Sequence, residues 1–302
     1  MNRTLKDYAL LTLKGMGMGA ADVVPGVSGG TIAFITGIYE ELINSIKSIN
    51  LNAIKLFFAG KIKEFWAAIN GTFLLSVFIG IGISVFSLAK GLEFLLNHYP
   101  ILVWSFFFGL IVASAIYVAR SINNWNTGTI LSGIIGTAIA YGITILSPAE
   151  AHTGYLFVFI SGMIAICAMI LPGISGSFIL VLLGMYKFIL GAVGDMDLAV
   201  IITFLAGAAI GIIAFSNVLS WLLKKYHNLT IAMLAGFMVG SLNKVWPWKE
   251  KITETDFAHN VLPNTYEQLH GQKAWLPGAI ALAVFGFLLI FVIEGIGKKL
   301  NK

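Results

Sequence analysis

Two short segments hold the residues whose types and spacing could do chemistry. Asp22-Val23-Val24-Pro25-Gly26-Val27-Ser28-Gly29-Gly30-Thr31 and Leu171-Pro172-Gly173-Ile174-Ser175-Gly176-Ser177 share a Pro-Gly-x-Ser-Gly core set inside apolar sequence. Proline removes a backbone donor and fixes φ, and glycine permits conformations closed to other residues, so Pro25 and Pro172 are predicted to break a helix that then restarts. Ser28 and Ser175 fall where an N-cap is needed, leaving the first amides of each restarting turn aimed into the break. Such an end attracts anions: each carries the equivalent of about +0.5 charge, and two together suit a phosphate without a buried Lys or Arg. The predicted anion-binding residues are therefore Gly26, Val27, Ser28, Gly29, Gly30 and Thr31 with Gly173, Ile174, Ser175, Gly176 and Ser177.

Asp22 is the informative charge, because an ionisable residue at membrane depth is costly and marks a proton, a coupling ion or a partner. Its counterpart in the second segment is Met169. That asymmetry suggests a proton-accepting role, with a salt bridge or helix cap as the competing reading. Tyr39 and Tyr186 recur at the same distance after the two breaks, and Arg120 closes an apolar segment; all three are weaker candidates, since tyrosines and arginines also anchor span ends. Two other chemistries compete. The serines also fit a Gly-x-Ser-Gly nucleophile, but such a serine needs a base, and His98, His152, His227, His259 and His270 all fall at span ends or in loops. Alternatively, Pro-Gly merely kinks a packed helix and the serines bond to their own carbonyls. The single cysteine, Cys167, leaves no disulfide or cysteine metal site; no cofactor and no metal ion are expected.

The elements that must position these residues are membrane helices. Of 302 residues 58% are hydrophobic and 11% charged, against about a quarter charged in soluble proteins. Apolar stretches long enough for a bilayer run over 72–96, 99–119, 127–147, 198–223 and 275–296, with a shorter one over 228–243. The regions 8–46 and 155–194, interrupted by the two breaks, each read as a re-entrant or broken helical hairpin. The net charge of +5 is spread along segment edges, which excludes a nucleic-acid face. With the N-terminus in the cytoplasm, thirteen Lys and Arg lie inside and five outside, Lys90 falling within a span. Both termini are thus predicted to be cytoplasmic.

The chain is internally duplicated. Residues 25–39 match 172–186 with seven identities in fifteen at an offset of 147, and 80–114 match 207–241 with ten identities in 35 at an offset of 127. The 20-residue difference is a Lys-rich connector around 47–70. The expected fold is an all-α polytopic membrane protein of two inverted repeats, 1–150 and 151–302, each a broken hairpin plus three transmembrane helices. Inverted repeats with discontinuous helices are a transporter architecture.

The paired segments VVPGVSGGTIAFITGIYEELI and LPGISGSFILVLLGMY, with their GMGMGAAD lead-in, resemble the bacterial undecaprenyl (polyprenyl) phosphate transporter family. The resemblance runs over most of the chain. It implies a plasma-membrane flippase that returns the lipid carrier to the cytoplasmic leaflet for cell-envelope synthesis. Its partners would be polyprenyl phosphate, membrane lipids and H⁺ or Na⁺ as coupling ion. The residues alone leave open a small-anion carrier for phosphate or sulfate, an intramembrane serine hydrolase and a structural scaffold.

Overall fold

The computed structural model describes residues 3–24, 27–250 and 259–300. The first broken region comprises α1 (Leu5–Val23), α2 (Gly29–Ile35) and α3 (Tyr39–Lys47). The Lys-rich connector forms two short helices, α4 (Leu51–Phe58) and α5 (Ile62–Ala68). Three long helices follow: α6 (Gly71–His98), α7 (Pro100–Arg120) and α8 (Thr127–Ile145). The second half runs through α9 (Tyr155–Ile170), α10 (Gly176–Leu182), α11 (Tyr186–Gly194), α12 (Leu198–Lys225) and α13 (His227–Ser241). A two-residue strand pair, β1 (Lys249–Glu250) and β2 (His259–Asn260), and α14 (Pro263–His270) precede α15 (Leu276–Leu300).

Each predicted span is a helix, with ends within a few residues of those expected. Among the described residues four helices are long and apolar enough to cross a membrane: Gly71–Leu88, Pro100–Arg120, Thr127–Ile145 and Leu198–Lys225. A fifth crossing is available if α10 and α11, bent by 109° at their junction, count as one broken span. The chain is a multi-pass, all-α membrane protein.

The helices group into two compact units that do not follow the halves of the sequence. Unit 1 holds residues 1–89, 148–171 and 175–227; unit 2 holds 90–147, 172–174 and 228–302.

In unit 1, α1 packs on α6 and α9 packs on α12 through glycine-mediated backbone approaches. A methyl group on Gly15 would collide with Val77 O, and one on Gly80 with Thr12 O; Gly162 meets Phe204 O and Gly207 meets Phe159 O in the same way. These four contacts interconvert by the offsets of 147 and 127 residues seen in the sequence. Close approach through small residues suits helices surrounded by lipid, where apolar burial alone gives little preference for a neighbour. The start of α1 is fixed by a capping box between Thr4 and Asp7 and by a bidentate pair between Arg3 and Glu41, with N–O distances of 2.7 and 2.6 Å. The α3–α12 seam carries a polar chain in which Lys47 donates to Ser220 Oγ (3.2 Å) and Ser220 to Asn44 Oδ1 (2.9 Å).

In unit 2 the partners are exchanged. Helix α7, from the first half, packs on α15; α8, also from the first half, packs on α13. Gly109 lies against Ala283 O and Gly286 against Phe106 O, while Gly236 lies against Gly133 O and Gly136 against Met233 O. The segment after α13 folds back on this unit: Trp246 Nε1 donates to Val261 O and Trp248 Nε1 to Ala274 O, each at 2.9 Å.

Candidate functional site

Both breaks stop and restart a helix as expected. Val24 and Leu171 turn extended at the ends of α1 and α9, with ψ of 115° and 127°, and Ser28 and Ser175 are the extended N-cap residues of α2 and α10. Pro25 and Gly26 lie outside the described residues. Pro172, Gly173 and Ile174 are buried in unit 2, where Gly173 adopts φ +83° and a Cβ would come within 2.8 Å of Phe237 O. A side chain there would face both left-handed strain and a backbone collision.

The first restart is fully capped from within the protein. Asp22 Oδ1 accepts from Gly29 N at 2.7 Å, Ser28 Oγ accepts from Gly30 N at 3.1 Å, and Thr31 N donates to Ser28 O at 3.0 Å. The expectation that its amides face an open break is replaced here by an internal carboxylate on the helix end. Gly29 is required for that fit, because a Cβ would strike the Asp22 carboxylate. At the other end of α2, Lys14 Nζ donates to Thr36 O at 2.8 Å. Helix α1 therefore brings an acid to the positive end of α2 and a base to its negative end. Eight residues separate the two on α1, about 12 Å at 1.5 Å per residue, matching the roughly 10 Å length of seven-residue α2.

Ser28 also joins the two halves of the chain. Its hydroxyl, fully buried, shares its proton between Met169 O and Leu171 O, both at 3.0 Å, and Gly30 is pressed against Ile170 O. The serine does not back-bond to its own helix, as a mere kink would require. The start of α2 thus sits on the carboxyl end of α9. The start of α10 uses the same helix, since a Cβ on Gly176 would fall 2.6 Å from Ala165 O and 3.2 Å from Met169 Cβ.

The second restart is built differently. Ser175 makes no capping bond and is paired with Ser177 at 2.9 Å between hydroxyl oxygens. By the 147-residue offset, Asp22 corresponds to Met169 and Lys14 to Ser161, so α9 brings no charge to either end of α10. The Ser161 hydroxyl is fully buried and has no partner among the described residues.

The remaining candidates divide. Tyr39 starts α3 with its ring 5.0 Å from Phe34, and its buried hydroxyl is likewise unpartnered among the described residues. Tyr186 packs on the cluster around Met185 and Val158. Arg120, in unit 2, is exposed and stacks its guanidinium 5.3 Å from the Phe291 ring centre, so it anchors the end of α7. Sequence reasoning missed Lys14, which was counted only toward topology. The available signal was its spacing from Asp22, nearly the length of the restarting helix.

Comparison with known proteins places the chain in a family. Residues 18–262 match the family described as VCA0040-like: undecaprenyl phosphate translocase-like. The chain belongs to this family. It is 45% identical over 302 residues, covering 97% of this chain and 98% of the relative, to a polyprenyl-phosphate transporter of Vibrio cholerae serotype O1. A polyprenyl-phosphate transporter of Staphylococcus aureus is 34% identical over 253 residues, covering 78% of this chain and 85% of that one. No solved structure matches the chain. It is a membrane transporter, not an enzyme.

Proposed function

We propose that this protein carries undecaprenyl phosphate, or a closely related polyprenyl phosphate, from the outer to the cytoplasmic leaflet of the bacterial plasma membrane. Its phosphate would be held by the restarting turns of α2 and α10. The observation that carries this reading is the Asp22 carboxylate on the Gly29 amide: the α2 start already accepts an oxyanion, and α10 starts from the same carboxyl end of α9 with no acid supplied to it. An anion leaving water is costly to bury unless fixed donors replace its hydration, and two helix starts provide such donors. The isoprenoid tail can remain in lipid and needs no cavity.

Asp22 and the phosphate would compete for the same amide. Protonation of Asp22 weakens its hold on Gly29 and removes a like charge, so phosphate binding and proton uptake become linked. This is the basis for H⁺ as coupling ion; Na⁺ is the alternative. Asp22 thus serves as the internal occupant that the substrate displaces. The recurrence of the glycine contacts at fixed offsets, α1–α6 with α9–α12 and α7–α15 with α13–α8, supports two related repeats. The charge distribution supports their inversion, with both termini cytoplasmic.

The test is leaflet exchange of labelled undecaprenyl phosphate in liposomes containing the purified protein, with and without a pH or sodium gradient. The wild type should exchange the lipid, and Ser28→Ala and Ser175→Ala should slow it. Absence of exchange by the wild type under every gradient would refute the assignment. Exchange of inorganic phosphate or sulfate instead would identify a small-anion carrier.

A further inference from the structure

The connector helices α4 and α5 answer to no part of the proposed transport site. They span eight and seven residues, about 12 and 10 Å of helix, far short of the ~30 Å hydrocarbon core. Yet they expose large apolar side chains. On α4, Leu51 (76% exposed), Ile54 and Phe58 (82%) recur at i, i+3 and i+7, a single stripe opposite the buried Ala53; α5 adds Ile62 and Trp66 at i, i+4. The two helices touch through Phe57 and Phe65, whose rings meet edge-on with centres 5.2 Å apart, and Gly60 makes the turn at φ +72°.

Chain connectivity fixes the level at which this stripe lies. Helix α5 ends at Ala68 and the membrane-crossing α6 begins at Gly71. Trp66 Nε1 donates to Thr72 Oγ1 at 2.9 Å, and Asn70, at φ +53°, donates to Glu41 and Ser45 at 2.9 and 3.1 Å, so α5 is tied to the first turn of the span and to α3. The exposed apolar residues are therefore held at a membrane–water boundary. Lys55 on α4, Lys61 at the N-cap of α5 and Lys63 on α5 are exposed, against a single acid, Glu64, which pairs with Lys61 at 3.3 Å. The corresponding connector in the second half is Asp195-Met196-Asp197, three residues with two acids and no lysine.

We infer that α4 and α5 form an interfacial plate that binds the anionic phospholipid headgroups of one membrane face. Leu51, Ile54, Phe58, Ile62 and Trp66 enter the boundary of the acyl chains, and the three lysines meet the phosphates, as in surface-lying amphipathic helices. Each lysine at an anionic surface favours binding by about fivefold, and salt screens the effect. The insertion that separates the two sequence offsets is thus a one-sided lipid anchor, present on the lysine-bearing repeat and absent from the other.

The test uses the full chain with Cys167→Ala and Phe58→Cys, the new thiol carrying a bimane fluorophore, in mixed phosphatidylcholine–phosphatidylglycerol vesicles. Nitroxide-bearing phosphatidylglycerol should quench the label several-fold more than nitroxide-bearing phosphatidylcholine. That preference should collapse in Lys55→Gln/Lys61→Gln/Lys63→Gln, and in the labelled protein with its lysines kept when salt is raised, which needs no further variant to fold. A label quenched by neither lipid, or equally by both at low salt, would overturn the inference. The readout does not depend on transport, so its failure leaves the phosphate-carrier reading untouched.

Discussion

Replacing Asp22 by asparagine isolates the competition proposed for the α2 start. The amide oxygen of asparagine can keep the acceptor position that Oδ1 holds 2.7 Å from Gly29 N, so geometry is preserved and only charge is lost. A hydrogen bond to an ionised group contributes about 1.5–3 kcal/mol and a neutral one about 0.5–1.5 kcal/mol, so a phosphate displacing asparagine gives up roughly 1–1.5 kcal/mol less. That difference alone is about tenfold in affinity. Repulsion between carboxylate and phosphate adds to it: two like charges about 4 Å apart interact by up to ~4 kcal/mol at an effective dielectric of 20. The assay is titration of the purified protein with a short-chain polyprenyl phosphate over a pH series. Because the neutral carboxyl is the form that releases the amide, wild-type binding should tighten on acidification. Asp22→Asn should bind at least about tenfold more tightly than the ionised wild type, with the acid-dependent part removed and only the titration of the phosphate remaining. In liposomes the same variant should lose stimulation by a proton gradient. Unchanged affinity together with the wild-type pH profile would show that Asp22 is a structural cap and refute the competition.

Gly109→Ala and Gly236→Ala each force a methyl group onto a facing carbonyl oxygen, of Ala283 and Gly133 respectively, and should destabilise the protein by about 1–3 kcal/mol. Gly82→Ala and Gly142→Ala, with nothing near the added methyl, should be neutral or gain up to ~1 kcal/mol of helix propensity; unfolding in detergent separates the two classes. Gly30→Ala would drive the α2 start off Ile170 O and should abolish leaflet exchange in protein that still purifies as a folded monodisperse species. Burial, with the charge of Lys244 nearby, lowers Lys249 to about 7 from 10.5. Between those values the unfolded chain holds the extra proton, so stability should rise with pH across that window and be least below it. The melting temperature should climb from pH 7 upward, and Lys249→Met should flatten the rise.

The helices, the two breaks and the duplication were all legible in the sequence, because each is encoded within a short window. Apolar runs set the spans, Pro-Gly stops a helix locally, and a repeat appears as identity at a constant offset. The serine at the same distance from each proline was enough to predict both N-cap positions, though not whether each side chain caps. The Lys-rich connector was visible as an insertion, but its two short helices were not, since eight-residue helices carry too little periodicity to stand out from a loop.

Tertiary structure decided the partners. Nothing local tells Ser28 to bond to carbonyls 141 and 143 residues away, or Lys14 to close the end of α2, because those contacts depend on which helices lie side by side. The pairing of α7 with α15 and of α8 with α13 crosses the halves of the chain, set by glycine surfaces that only meet after folding. Most tellingly, Ser28 and Ser175 stand at the same place in the same motif, and only Ser28 caps. The difference lies in what α1 and α9 bring to the turn: Asp22 occupies the first helix start and Met169 cannot occupy the second. The sequence by itself determined where two helices would stop and restart; packing decided that the first restart is held by the protein's own carboxylate.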